Sequence, residues 1–197
     1  MLARGVTIYF VRHGETDWNA AQRYQGRRNV PLNATGRAQA RRNGLVLSEL
    51  LASEAAAFAY ISSPLLRARE TMQILRRELS LPPEDYAQDP RLSEIDYGHW
   101  EGQLLHDLPT TDPDGFCARR ADAWNWRPTD GESYRMLSER VAPWLQEIRQ
   151  DSVVASHGGV SRVLRGLLLQ LADVEIPFLD VPQDKVLVLS AGSARWL

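Results

Sequence analysis

Apolar and polar positions change period several times along the chain. Val6 to Val11 is an almost unbroken apolar, β-branched and aromatic run. That is the pattern of a strand covered on both faces, as in a parallel sheet flanked by helices. Similar runs recur at residues 57–61, 152–155 and 186–189. Between them the period lengthens to that of helices. Leu65, Ala68, Met72, Leu75 and Leu79 form one stripe, and Leu137, Val141, Trp144, Leu145 and Ile148 form a second. Val160, Val163, Leu164, Leu167, Leu168 and Leu171 form a third. Asn33 suits the N-cap of a further helix reaching about Leu51, and Ser63 followed by Pro64 reads as a cap with proline at the first helical position. Strand and helix alternate, which predicts an α/β fold: a three-layer α/β/α sandwich on a mostly parallel central sheet.

The rhythm breaks between Gln103 and Asp130, where Pro109, Pro113 and Pro128 accompany weak periodicity and three aromatics, Phe116, Trp124 and Trp126. This span reads as an irregular insertion near an active site, with room for a short helix, because long irregular insertions in compact domains are disproportionately functional. It is too short to fold alone, so residues 1–197 are expected to form one domain.

Composition narrows the classes. With 44% hydrophobic and 24% charged residues the chain can bury a sizeable core, and its formal net charge of −2, without runs of like charge, disfavours a duplex nucleic-acid binder. Cys117 is the only cysteine, so neither an intramolecular disulfide nor a thiolate metal cage can form. The longest uncharged stretch, Ala55 to Leu66, is twelve residues, short of the roughly 18 needed to cross a bilayer. The first strand meets Arg12 and His13 too early for a signal peptide. The expectation is a soluble cytoplasmic protein.

Two strands end alike, in Phe10-Val11-Arg12-His13-Gly14 and Val154-Ala155-Ser156-His157-Gly158-Gly159. In an open α/β sheet ligands bind at the carboxyl ends of the strands, so both histidines fall at the expected crevice. A third strand ends at Ser62 and delivers Arg67 on the first turn of its helix. Two imidazoles and two guanidinium groups thus converge, and such a pocket suits a phosphomonoester. Arg12 and Arg67 offer forked donors, the glycines after each histidine let backbone N–H groups approach, and the helix starting near Gly158 points its positive end inward. One histidine can attack phosphorus while the other donates to the equatorial oxygens. The leaving alkoxide needs a proton, which Glu94 or Asp96 could supply; strand alternation alone does not choose between them. Arginines beside both histidines argue against a metal held by imidazoles.

These residues carry a family resemblance. Val11 to Asn19 (VRHGETDWN), Gln25-Gly26-Arg27, Pro31-Leu32, Ser63-Pro64-Leu65-Leu66-Arg67-Ala68, Glu94 with Gly98-His99-Trp100-Glu101-Gly102, Gly131-Glu132-Ser133 and Ser156-His157-Gly158-Gly159 stand in an order that resembles the histidine phosphatase superfamily, also called phosphoglycerate mutase-like. The resemblance implies His13 as the nucleophile that becomes phosphohistidine, Arg12, Arg67 and His157 as the phosphate pocket, and Glu94 rather than Asp96 as the proton donor. It further implies that Asn19 contacts the phosphate and that Thr16 and the loop Gln25, Gly26 and Arg27 lie near the ligand, with Gly158 at the phosphate-binding helix end. Asn29 and Glu70 depart from the residues common at those positions in the family.

The expected activity is hydrolysis of a small phosphorylated metabolite without metal or other cofactor. A mutase is the alternative, disfavoured because family mutases carry a more basic insertion, whereas residues 103–130 hold three arginines against five aspartates. A non-catalytic phospholigand-binding protein is less favoured still, since binding tolerates loss of His13 and Glu94 and both are present. His99 and His106 lie outside the catalytic assignments and are expected to pack at the surface. The expected partners are the metabolite and, as an open option, a second copy in a homodimer, with no nucleic acid and no membrane.

Overall fold

The computed structural model describes residues 2–197. In chain order its elements are β1 (Ile8–Arg12), α1 (Asp17–Ala20), α2 (Ala34–Leu51), β2 (Ala59–Ser62), α3 (Leu66–Glu78), β3 (Ala87–Gln88), α4 (Leu108–Thr111), α5 (Pro113–Ala121), α6 (Tyr134–Glu147), β4 (Ser152–Ser156), α7 (Gly158–Leu169), β5 (Val186–Ser190) and β6 (Ser193–Trp196), with short 3-10 turns between them. The strands form one sheet in the order β3-β2-β4-β1-β5-β6. β1 to β4 pair in parallel, and β5 and β6 add an antiparallel edge.

Alternation along the central strands separates two cores. Ile8 and Phe10 of β1, Val154 of β4, and Leu187 and Leu189 of β5 face the helices α6 and α7, where Leu137, Val141, Trp144, Val163 and Leu164 close over them. Val11, Val153, Ala155 and Val186 face the other way, onto Leu47 and Leu51 of α2 and Met72 and Leu75 of α3. Helices thus cover both faces, and near-continuous apolar runs are what doubly covered strands require. Among the described residues no helix is long and apolar enough to cross a membrane.

Local caps account for the helix starts. Asn33 Oδ1 accepts from Gly36 N at 2.8 Å and caps α2 as expected. The Ser63-Pro64 expectation is corrected: α3 starts two residues later, at Leu66, with Leu65 as a cap that makes no side-chain bond. Asn29 supplies what is missing, its Oδ1 accepting from Leu66 N at 3.0 Å, while Glu70 Oε2 accepts from Leu32 N at 3.1 Å and its Oε1 pairs with Arg37 at 3.1 Å. Both departures from the family pattern are therefore structural. The 103–130 span is also more ordered than expected, since it carries α4 and α5; Asp112 caps α5 through Gly115 N at 3.0 Å and Pro113 opens it.

Candidate active site

Strand register puts the histidines together. β1 and β4 pair from Ile8 with Ser152 to Arg12 with Ser156, so the next residues, His13 and His157, leave adjacent parallel strands side by side. His13 N donates to Ser156 O at 2.8 Å, and the two rings lie 5.1 Å apart. β2 runs alongside β4, and Ser63 N donates to Ala155 O at 3.0 Å, which carries Ser63 to His157 Nε2 at 2.7 Å. Both imidazoles are buried.

Hydrogen bonding fixes the His13 tautomer. Nδ1 lies 2.8 Å from Gly14 O, and a carbonyl only accepts, so Nδ1 carries the proton. Nε2 keeps its lone pair and accepts from Arg67 Nε at 3.2 Å. His157 Nδ1 is buried with no partner among the described residues. Burial first, then the charges of Arg67 and Arg12, holds the His13 pKa well below its ordinary value. Burial likewise depresses His157, followed by Arg67, His13 and Arg12.

The guanidinium groups are aimed by backbone carbonyls. Fully buried Arg67 donates from Nη1 to Arg28 O and from Nη2 to Gly26 O, both at 2.7 Å, and burial brings its pKa down to about 10 against the opposing pull of Glu94. Arg12 donates from Nη1 to Val181 O at 2.7 Å, while its buried Nε has no partner among the described residues. Burial lowers the Arg12 pKa too, with Glu94 opposing.

Glu94 and Asp96 are separated by the structure. Glu94 lines the pocket; its Oε1 accepts from Gly159 N and Ile95 N, each at 3.0 Å, and Oε2 has no protein partner among the described residues. Asp96 is not in the lining; it accepts from Gly98 N at 2.9 Å and faces Arg27 at 3.5 Å. A Cβ at Gly159 would lie 2.5 Å from Glu94 Oε1, so glycine there is needed for the carboxylate to dock on the end of α7. Gly14 has a different use from the one expected. Its N–H donates to Thr71 Oγ1 at 3.2 Å, and a Cβ would lie 2.1 Å from Gly36 O, so it serves close packing of the His13 loop on α2 rather than phosphate approach.

The pocket has a volume of about 460 Å³ and is lined by Arg12, His13, Asn19, Gln25, Gly26, Arg67, Glu94 and Gly158 from the expected set. His157 does not line it but packs against His13, and Thr16 is buried as the cap of α1, its Oγ1 accepting from Asn19 N at 3.1 Å. Arg27 turns away to Glu132 at 2.9 Å. His99 and His106 lie outside, beside Asp112 at 3.0 Å and Asp107 at 3.3 Å.

Sequence reasoning missed the outer lining, including Arg23, Tyr24, Tyr97, Leu105, Arg119, Arg162 and Phe178. It also missed the support behind Glu94. Arg140 grips Glu132 at 3.0 and 2.8 Å and donates from Nη1 to Arg91 O at 2.7 Å and Ser93 O at 3.0 Å. Glu132 stands before the Ser133 cap and Arg140 inside α6, so no helical spacing signalled this pair. Among the described residues no group of three His, Cys, Asp or Glu side chains is placed to hold a metal ion.

A mostly parallel sheet whose carboxyl edge joins a neutral histidine, buried guanidinium groups and a carboxylate defines a phosphate-handling α/β enzyme of the phosphatase and mutase type. The chain belongs to the histidine phosphatase superfamily (branch 1), whose family model matches residues 8–197. It is 38% identical over 165 residues to the uncharacterized phosphatase PhoE of Bacillus subtilis, covering 80% of this chain and 74% of that protein. A probable phosphoglycerate mutase, GpmB of Salmonella arizonae, is 36% identical over 157 residues, covering 77% and 69%. Among solved structures, mycobacterial glucosyl-3-phosphoglycerate phosphatase in complex with VO3 superposes with a TM-score of 0.80 at 30% identity, covering 99% of this chain and 96% of that one.

Proposed function

We propose that the protein is a metal-independent phosphomonoester hydrolase acting through phosphohistidine on a small phosphorylated metabolite. The carrying observation is His13: its proton is engaged by Gly14 O, leaving the Nε2 lone pair beside Arg67 in the pocket that Glu94 lines. Nε2 attacks phosphorus, an N–P bond forms, the P–O bond to the alcohol breaks, and Glu94 gives the departing oxygen its proton. Water then attacks phosphohistidine, loses its proton to Glu94, and phosphate leaves with His13 restored.

The remaining groups hold the phosphoryl oxygens. Ser63 Oγ accepts from Leu65 N at 3.3 Å and lies 2.7 Å from His157 Nε2; with the hydroxyl proton directed to Nε2, the Nδ1–H of His157, which has no partner among the described residues, is the donor. Arg12, Arg67 and the amide of Asn19 add donors that need no rearrangement as charge builds up. Five arginines and one carboxylate in the lining suit an alcohol that carries a second anionic group.

The hydrolase reading is favoured over a mutase because, of the three arginines in the 103–130 span, Arg119 alone lines the pocket. The test is phosphate release from an activated aryl phosphate with EDTA present, lost in His13→Ala, together with an acid-quenched phosphoprotein that is labile to acid and stable in base. Turnover of 3-phosphoglycerate dependent on 2,3-bisphosphoglycerate, with negligible hydrolysis, would establish the mutase instead.

A further inference from the structure

The segment from Leu179 to Gln183, entering β5, is a strap whose carbonyls collect side chains from distant parts of the chain. Leu179 O accepts from Arg162 Nε, Asp180 O from Arg165 Nη1 and Val181 O from Arg12 Nη1, each at 2.7 Å, and Gln183 O accepts from Asn43 Nδ2 at 3.0 Å. One side chain of the strap reaches into the site. Gln183 Nε2 donates to His13 O at 3.0 Å and to Asn19 Oδ1 at 3.2 Å, so the two protons of a single NH2 group bridge the nucleophile's own peptide and a side chain of the pocket lining.

We infer that Gln183 is a positioning residue, which acts on the phosphoryl group through Asn19. A side-chain amide has one face that accepts and one that donates, and its neighbours decide which is presented to a ligand. Asn19 Oδ1 already receives Thr16 N at 3.2 Å and Thr16 Oγ1 at 3.1 Å, both from within the short turn of α1. Gln183 is the third donor and the only one of the three anchored outside that turn, at the His13 carbonyl. It therefore sets where the Asn19 NH2 group stands relative to His13, and that NH2 has no protein acceptor among the described residues. The donor count also opposes an amide flip, which would turn NH2 onto three N–H or O–H groups. A bridge of this kind matters most when the phosphoryl oxygens spread into the plane of the transition state.

The inference rests on the phosphoryl pocket proposed above, and its test needs no turnover. Inorganic phosphate reports the ground state and orthovanadate the transition state, and both affinities are measured by calorimetry on wild type, Gln183→Leu, Asn19→Ala and the double variant. Gln183→Leu is expected to weaken orthovanadate about tenfold, the usual worth of a well-placed hydrogen bond, and phosphate no more than about twofold. In the Asn19→Ala background it should add nothing further, since a residue acting through another shows no independent effect in such a cycle. Equal weakening of both anions, factors that multiply in the double variant, an unchanged Gln183→Leu, or a wild type that binds no orthovanadate would each overturn the inference. Gln183→Met keeps the length and stays neutral while removing both donors, and gives the same readout should the leucine variant not fold. Failure of the phosphohistidine reading is seen separately, in the His13→Ala turnover assay.

Discussion

The base of the pocket and its outer wall are built on opposite terms. At the base His13, His157 and Arg67 are buried, and Arg67 has every side-chain nitrogen on a named acceptor. At the wall Phe178 is 63% exposed, Leu105 is 43% exposed, and Arg119 makes no hydrogen bond or ion pair among the described residues. The base is held rigidly by the strand ends and by backbone carbonyls, whereas the wall comes, apart from Arg162 on α7, from α5 and connecting segments. That division matches two tasks. Stabilising developing charge needs groups fixed before the reaction starts, while choosing among alcohols needs only side chains able to meet them.

The sharpest way to break this comparison is at the base. His13→Ala should lower kcat by roughly 10⁴-fold or more on every substrate, the scale seen when a catalytic nucleophile is removed. Arg67→Lys keeps the charge yet loses the fork that serves Nε2 of His13 and two carbonyls, and should lower kcat/KM on the order of a hundredfold. If these variants lost no more than changes at the wall, the assignment of chemistry to the base would be wrong.

Glu94 gives a finer cut, because its effect depends on the leaving group. Glu94→Gln should lower kcat about a hundredfold for a sugar-alcohol ester, the usual worth of a positioned general acid. With p-nitrophenyl phosphate the phosphorylation step should suffer far less, since that phenolate departs without a proton. Burst kinetics separates this step from dephosphorylation. An equal loss of phosphorylation rate on both esters would remove Glu94 from the acid role.

The same division explains which features the sequence alone makes legible. His13 and His157 were legible because parallel strands that end in the same motif bring their next residues together, and Arg67 followed from a helix beginning just past a third strand. Glu94 was not separable from Asp96 on alternation alone, since the answer lies in the docking of its carboxylate on Gly159. The two edge strands of the sheet were also missed: β3 spans only two residues, and β6 alternates polar and apolar residues at the opposite, exposed edge. In the 103–130 span three prolines masked helical content. Asp112-Pro113 carried a capping signal for α5, but only packing brings Arg119 of that helix to the pocket. Apart from Arg162 on α7, wall residues lie on segments whose course depends on tertiary contacts, so periodicity says little about them.

A substitution at the wall should therefore change selection and leave chemistry alone. Arg119→Ala is expected to raise KM about tenfold for an ester whose alcohol bears a carboxylate, with kcat unchanged and little effect on a neutral alcohol, because an unpaired, partly exposed charge contributes modest binding energy. A fall in kcat on both esters would place Arg119 with the base.

The smallest effect expected is on stability, and it too should belong to the base alone. In the unfolded chain both imidazoles titrate near 6.5, and in the fold burial and the neighbouring guanidinium groups hold both well below that value. Between those limits the unfolded chain binds more protons than the folded one, so stability rises with pH there. The contribution is complete above about pH 6.5 and is lost as the pH falls toward the folded-state values. The melting temperature should consequently drop by at least a few degrees between pH 7 and pH 5, roughly the shift produced by 1 kcal/mol in a domain of this size. Activity should survive over the same interval, because His13 remains an unprotonated nucleophile on the acidic side of neutrality. His13→Gln removes one of the two titrating rings and should flatten the slope, whereas Arg119→Ala should leave it as in wild type. Calorimetric scans of the three proteins at several pH values decide the matter: a slope unchanged in His13→Gln would mean that the acid sensitivity arises elsewhere.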